Sequence, residues 1–82
     1  MSEHILLSKQ EKKILVSLSS GSLYKEIAAD HNISINTVKK HLKNIYRKLG
    51  VNKRTMAIEM FLENPARFEI GVTENQDMVK TA

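Results

Sequence analysis

The stretch between Ser34 and Gly50 constrains the fold of this chain more than any other part. Four large apolar residues recur in it at intervals of four, three and four, which is the spacing of one buried helix face: Val38, Leu42, Ile45 and Leu49. Ser34 is a favourable N-cap, and Gly50 suits the left-handed position that follows a helix. The pattern therefore predicts a helix over about 34–49 with one face on a core.

Two helices are expected before this segment. Ser8 and Glu11 have the S-x-x-E spacing of a capping box, in which each side chain bonds the other residue's backbone N–H. Apolar residues then follow at helical spacing and predict the buried face of the first helix: Ile14, Leu15 and Leu18. A short second helix ending near His31 is predicted by Leu23, Ile27 and Ala28.

A tight turn and a fourth helix complete the pattern. Asn32 tolerates the left-handed backbone conformation that a turn just past a helix end requires. The second and third helices with this turn make a helix-turn-helix. Asn52 is a candidate N-cap for a fourth helix that runs through Leu62. Pro65 should stop that helix, because the residue before a proline avoids the helical region.

Length and composition fit one small all-α domain. Eighty-two residues have room for a single core, and the absence of cysteine excludes disulfides and thiolate metal sites. We expect a four-helix domain over residues 1–64 and a C-terminal tail over 65–82 that is partly disordered. Phe68, Ile70 and Val72 alternate like a short strand, but the sequence offers no convincing strand partner.

The chain carries no signal for export or membrane insertion. The apolar run 5–7 is far shorter than a secretory core, and no window approaches the roughly 20 apolar residues of a membrane span. The lack of cysteine agrees with a reducing compartment. We therefore expect a cytoplasmic protein with no membrane partner.

The charges are distributed unevenly along the chain. The net charge is +4, yet residues 31–58 contain no Asp or Glu and hold seven of the thirteen basic residues. A one-sided positive field of this kind attracts a polyanion and speeds its association. The composition of this segment favours nucleic acid as a partner over an ordinary solvated surface.

The polar face of the third helix is the candidate recognition surface. Asn36, Lys39, Lys40 and Lys43 lie away from the apolar stripe and nearer the helix start, where a recognition helix goes deepest into the major groove of double-stranded DNA. Lysine can donate to guanine, and asparagine can pair with adenine. Arg47 and Lys48, in the last turn, are expected to hold phosphate.

A set of short runs resembles the LuxR-type helix-turn-helix, which also serves response regulators of the FixJ and NarL class and the small spore regulator GerE. The runs are Leu23–Ala28, Ile33–Ser34, Thr37–Lys39, His41–Leu42, Asn44–Val51 and Arg54. The resemblance covers about residues 7–61. It implies a four-helix DNA-binding unit whose third helix reads the major groove and whose fourth helix is the usual dimer contact.

The resemblance also implies roles for individual residues. Groove contacts are expected at Lys39, Lys40 and Lys43, and further phosphate contacts at Tyr24, Lys25, Thr37 and Arg54. Apart from the resemblance, Ser34 at the start of the third helix is also expected to contact phosphate. Lys40 and Lys43 stand at variable positions of the family, so its base preferences do not transfer to this chain. Asn32 occupies a turn position that could hold glycine.

The fourth helix has more apolar residues than one buried stripe needs. Ala57, Ile58, Phe61 and Leu62 nearly fill a stripe, which leaves Met56 and Met60 for another face. We expect a homodimer through this helix, with contacts at Met56, Ala57, Met60 and Phe61. In the alternative, Phe68 and Ile70 of the tail cover this patch within one monomer.

The sequence favours a transcription regulator that binds specific DNA sites over other functions. The chain has no convergent acid–base set or glycine-rich phosphate loop, so we expect no enzyme activity and no cofactor. His31 and His41 stand on different elements without a carboxylate cluster, which argues against zinc. The remaining rivals are region four of a sigma factor and a helical adaptor or antagonist acting through the fourth helix. RNA polymerase is a further candidate partner.

The sequence leaves open whether these residues form a whole regulator or part of a longer one. A whole regulator would be controlled by its abundance, its dimerisation or a partner. A part of a longer chain would take its phosphorylation or small-molecule signal from another domain.

We expect residues 74–82 to be disordered without a partner, because apolar residues are sparse after Val72. Deleting 74–82 should leave the melting temperature and the DNA affinity nearly unchanged. Thermal unfolding of the full and shortened chains measures the first quantity. A clear drop in melting temperature would mean that this segment packs on the helices.

Overall fold

The computed structural model describes residues 4–71, and within them four helices lie between two short strands. The elements are, in chain order, β1 (Ile5–Leu7), α1 (Lys9–Ser19), α2 (Tyr24–His31), α3 (Ile35–Leu49), α4 (Arg54–Glu63), a 3₁₀ turn (Pro65–Arg67) and β2 (Phe68–Ile70). The four predicted helices and the four-helix fold class are confirmed. The segment 74–82, predicted to be disordered, lies outside the described residues. No helix within 4–71 has the length and apolar character needed to cross a membrane.

Local side-chain caps fix where α1 and α3 begin. The Ser8 Oγ accepts from the Glu11 backbone N–H at 3.0 Å, and a Glu11 carboxylate oxygen accepts from the Ser8 N–H at 2.9 Å, so the predicted capping box is present. The Ser34 Oγ accepts from the Thr37 N–H at 3.0 Å at the start of α3. Gly50 ends α3 in the left-handed region at φ 76°.

The turn between α2 and α3 has the predicted conformation, but the start of α4 differs from the prediction. Asn32 adopts φ 57°, and the next residue, Ile33, donates its N–H to the Ala28 carbonyl at 2.9 Å. The N-cap of α4 is Lys53, whose side chain makes no capping bond. Asn52 was therefore the wrong cap, because α4 begins one residue later than that cap would place it.

The core lies where α1, α2 and α4 pack around the buried stripe of α3. Its buried apolar residues come from every helix and both strands: Leu7, Ile14, Leu15, Leu18, Ile27, Ala28, Val38, Leu42, Ile45, Leu49, Ala57 and Phe68. The predicted stripe of α3 is buried along its whole length. This packing fixes the rotation of α3 and leaves its opposite face in solvent.

The two strands form a parallel pair that the sequence did not predict. Ile5 is opposite Phe68 and Leu7 is opposite Ile70, and the Gly71 N–H continues the ladder to the Leu7 carbonyl at 2.8 Å. Parallel strands need a long crossover, and here the four helices supply it. Phe68 is only 1% exposed. The described part of the expected tail, residues 65–71, is thus joined to the domain.

An ion pair between a buried carboxylate and a partly exposed ammonium links α1 to the last turn of α3. Glu11 is 5% exposed, and the carboxylate oxygen that caps α1 also accepts from the Lys48 ammonium at 2.7 Å. Lys48 itself is partly exposed. A buried carboxylate needs such donors, since an uncompensated charge inside a protein is costly.

We predict that Lys48→Met lowers the free energy of unfolding by about 1–3 kcal/mol, because it removes one donor from the buried Glu11 carboxylate. Urea unfolding followed by circular dichroism measures this change. Lys39→Met is the matched control on an exposed position of the same helix, with an expected change below about 0.5 kcal/mol. In a Glu11→Gln background, the effect of Lys48→Met should shrink. Equal unfolding of the two lysine variants would contradict a stabilising ion pair.

Candidate nucleic-acid interface

The outer face of α3 presents the four predicted groove residues together. Asn36, Lys39, Lys40 and Lys43 are all exposed, whereas the residues of the apolar stripe are buried. None of the three lysines forms an ion pair with another residue of the described range 4–71. Their ammonium groups are therefore available to an external anion or base edge.

The start of α3 holds two hydroxyl groups that were predicted to meet phosphate. The Ser34 Oγ and Thr37 Oγ1 are 2.9 Å apart and share one hydrogen bond, in which either can donate. One hydroxyl hydrogen of the pair remains for an outside acceptor, because the bond between them uses only one. The Ser34 oxygen also holds the Thr37 N–H, so helix capping positions this pair.

Two tyrosines and an arginine from three different helices lie near one another. Tyr24 begins α2, Tyr46 is near the end of α3, and Arg54 begins α4. Burial raises the pKa of Tyr46, the neighbouring Tyr24 hydroxyl raises it further, and the charge of Arg54 acts in the opposite direction. The Tyr46 hydroxyl is buried and, within residues 4–71, makes no hydrogen bond of ordinary geometry despite its nearness to Tyr24. The cluster places the Arg54 cation and the Tyr24 hydroxyl beside the Tyr46 hydroxyl of α3.

The other residues that were predicted to bind phosphate differ in whether their side chains are already bonded within the protein. Lys25, next to Tyr24 at the start of α2, is exposed. Arg47 is exposed, and its guanidinium donates to the Asn44 side-chain oxygen, one turn earlier on α3. Lys48 is held by Glu11, so a phosphate contact would have to compete with that ion pair.

The predicted dimer residues on α4 are split between surface and core. Met56 is exposed, Met60 and Phe61 are partly buried against the core, and Ala57 has no exposed surface. Ala57 therefore belongs to the core of the protomer. Leu62, which the sequence pattern placed in the buried stripe, is 59% exposed instead.

The alternative, in which Phe68 and Ile70 of the tail cover the patch of Met56 and Met60, is wrong for Met56, which stays exposed. The Phe68 ring packs edge-on against the Phe61 ring, with their centroids 5.3 Å apart. Ile70, in contrast, lies in a groove beside Val16 of α1. The exposed apolar residues that remain on α4 are Met56 and Leu62.

Two residues of this surface escaped the sequence reasoning. Ile35, the first residue of α3, is 43% exposed next to Asn36, and an apolar side chain there can contact a thymine methyl group. Its place one residue after the N-cap could have indicated it. Tyr46 could not be identified from the sequence, because only the tertiary fold brings it near Tyr24 of α2 and Arg54 of α4. In the described range no three metal-binding side chains cluster around His31 or His41.

The chain matches a known family over most of its length. Residues 6–61 match the model of the luxR family of bacterial regulatory proteins, whose domain is named GerE. This range includes α1, α2, α3, all of α4 except its last two residues, and every residue of the candidate interface. The match agrees with the resemblance that the sequence motifs carry.

Individual relatives support the same assignment. The chain is 48% identical over 54 residues to the probable transcriptional regulatory protein SgaR of Hyphomicrobium methylovorum, which covers 66% of this chain and 26% of SgaR. It is 43% identical over 65 residues to the CsgBAC operon transcriptional regulatory protein of Escherichia coli, covering 79% of this chain and 30% of that protein. It is 41% identical over 58 residues to the nitrate/nitrite response regulator protein NarP of Escherichia coli, covering 71% of this chain and 27% of NarP.

The shared segment is a limited part of each relative, since the chain spans between about a quarter and a third of their lengths. Within this chain, however, the match includes the whole helix-turn-helix, with its turn at Asn32 and its exposed basic face on α3. On this evidence the chain belongs to the LuxR family of bacterial regulatory proteins.

Proposed function

We propose that this protein is a transcription regulator that binds specific sites in double-stranded DNA and reads the major groove with α3. The observation that carries the proposal is the outer face of α3, where Asn36, Lys39, Lys40 and Lys43 are exposed in an acid-free segment. Such a face can contact base edges because the buried stripe holds the helix from behind. The relatives are named as transcriptional regulatory proteins, which supports this function.

The contacts divide into base reading and phosphate binding. The four residues of the outer face reach the groove, and Ile35 adds apolar contact at its edge. Phosphates on either side are held from α2, from the start and end of α3, and from α4 by Tyr24, Lys25, Ser34, Thr37, Arg47 and Arg54. Lys48 is left out of this set because it is paired with Glu11.

The protein acts by binding, without catalysis or cofactor, in the cytoplasm where bacterial DNA lies. Similarity to NarP is the basis for placing it among domains of the response-regulator type. The sigma-factor alternative lacks support from the matched family. The adaptor alternative predicts no DNA binding at all, so a duplex-binding measurement separates it from the present proposal.

A homodimer through α4 accounts for the exposed apolar side chains of that helix. Met56 and Leu62 are 42% and 59% exposed, and Met60 is partly buried at the edge of the same helix. A two-fold pair would place two α3 helices about one DNA turn apart, ~34–36 Å, and favour an inverted-repeat site. With so small a patch, the dimer should be weak in free solution and tighten on DNA.

We predict that Lys43→Ala weakens binding to a selected site by about 1–3 kcal/mol and relaxes preference at one base position, because it removes a base contact. Lys25→Ala should weaken binding to all duplexes similarly and reduce the slope of log affinity against log salt by about one unit. Fluorescence anisotropy with a site from random-duplex selection, over a range of salt, measures both. The groove assignment fails if Lys40→Ala and Lys43→Ala both leave specific affinity intact.

We predict that Leu62→Asn removes cooperative binding to a paired half-site while the monomer stays folded. Each copy would bury an amide without a partner, at a cost of about 1–3 kcal/mol, yet the residue is exposed in the monomer. Leu6→Asn is the matched control, since Leu6 is 57% exposed, close to the 59% of Leu62, but lies on β1. Met60→Asp should act in the same direction as Leu62→Asn. Cooperative two-to-one complexes with both α4 variants, seen by sedimentation on duplex DNA, would exclude α4 as the dimer surface.

A further inference from the structure

A groove beside α1 is not explained by DNA binding. Its volume is about 510 Å³, and we call it the α1 groove. It is lined by Lys9, Lys12, Lys13, Val16, Ser17, His31 and Ile70. These residues come from α1, the last residue of α2 and the last residue of β2, and none belongs to the proposed DNA contacts.

Val16 and Ile70 are the apolar residues that line the α1 groove, and we call them its floor. Val16 is 41% exposed and Ile70 is 50% exposed, although both are branched aliphatic side chains. The parallel pairing of β2 with β1 brings Ile70 to α1, so the floor is a product of the tertiary fold. Two such side chains in one concave site favour a partner that supplies an apolar group.

Three lysines of α1, which we call the rim, make the α1 groove positive: Lys9, Lys12 and Lys13. Lys9 and Lys13, one turn apart on α1, are exposed and form no ion pair within the described residues 4–71. Lys12 is half-buried, and its ammonium donates to the Phe68 carbonyl at 2.9 Å, which fixes its position at the groove. Among the described residues 4–71 no Asp or Glu lines the groove, and the nearby Glu11 carboxylate is buried against Lys48.

The combination of an apolar floor and a cationic rim selects one kind of occupant. We propose that the α1 groove binds an acidic segment of a partner protein, with a bulky apolar side chain on Val16 and Ile70 and carboxylates facing Lys9 and Lys13. The phosphate backbone of DNA would satisfy the rim but offers no bulky apolar group to the floor, whereas an acidic peptide can satisfy both. This contact goes beyond DNA binding and would let the bound regulator hold a second protein.

The test uses the full chain and a blocked synthetic peptide in which a Phe-Leu pair is flanked by Asp and Glu residues. Titration of ¹⁵N-labelled protein should shift the amide signals of Val16 and Ile70. Replacing the Phe-Leu pair of the peptide by two alanines, or its acids by lysines, should weaken binding about tenfold or more. Equal binding of the alanine peptide would overturn the proposal, because charge alone would then explain the interaction.

Paired charge reversals locate the site. Lys9→Glu with Lys13→Glu should weaken peptide binding about tenfold or more and leave duplex-DNA affinity nearly unchanged. Lys39→Glu with Lys43→Glu makes the same charge change on the outer face of α3, and should abolish DNA binding while peptide binding persists. All four positions are exposed, so circular dichroism should report folded protein in both variants.

Three further outcomes would overturn the proposal. The first is no shift at Val16 and Ile70 in the wild type at millimolar peptide, and the second is equal loss of peptide binding in both double variants. The third is a loss of DNA affinity in the Lys9/Lys13 variant that matches the loss in Lys25→Glu, which would make the groove part of the DNA surface. Failure of wild-type DNA binding would instead count against the proposed function, and the peptide titration is independent of it.

Discussion

The burial of one face of α3 is the constraint on which the other features of the molecule depend. Val38 and Ile45 have no exposed surface, and Leu42 has almost none, so α1, α2 and α4 hold the helix at one rotation. Close-packed side chains resist such rotation, because moving them opens voids. The polar residues between the stripe positions must then face solvent together. The basic outer face is thus a geometrical consequence of the core.

The two ends of this small domain are held together by contacts between residues that are distant in sequence. The β1–β2 pair, the Lys12 bond to the Phe68 carbonyl and the packing of Phe61 on Phe68 tie the segment after α4 to α1 and the N-terminal strand. A domain of this size buries a modest fraction of its surface and has no disulfide to restrain it. The ion pair between Glu11 and Lys48 adds a further link, from α1 to the last turn of α3.

The same scaffold separates three surfaces. The outer face of α3, with the starts of α2 and α4, gathers cations and hydroxyls, and we propose that a DNA backbone binds there. The exposed side of α4 carries apolar residues suited to a second copy, and the α1 groove combines apolar and cationic groups. Because these surfaces use different residues, single substitutions can separate the DNA binding, dimerisation and partner binding that we propose.

The sequence by itself determined the four helices, the left-handed turn at Asn32 and the residues of the α3 face. These features depend on interactions between residues three or four apart, such as Ser8 with Glu11, and are therefore readable from spacing. The strand pair, the Glu11–Lys48 ion pair, the exposure of Leu62 and the α1 groove were decided by the tertiary structure. Each joins or orients residues far apart in the chain, and their free energies depend on packing that no local pattern records.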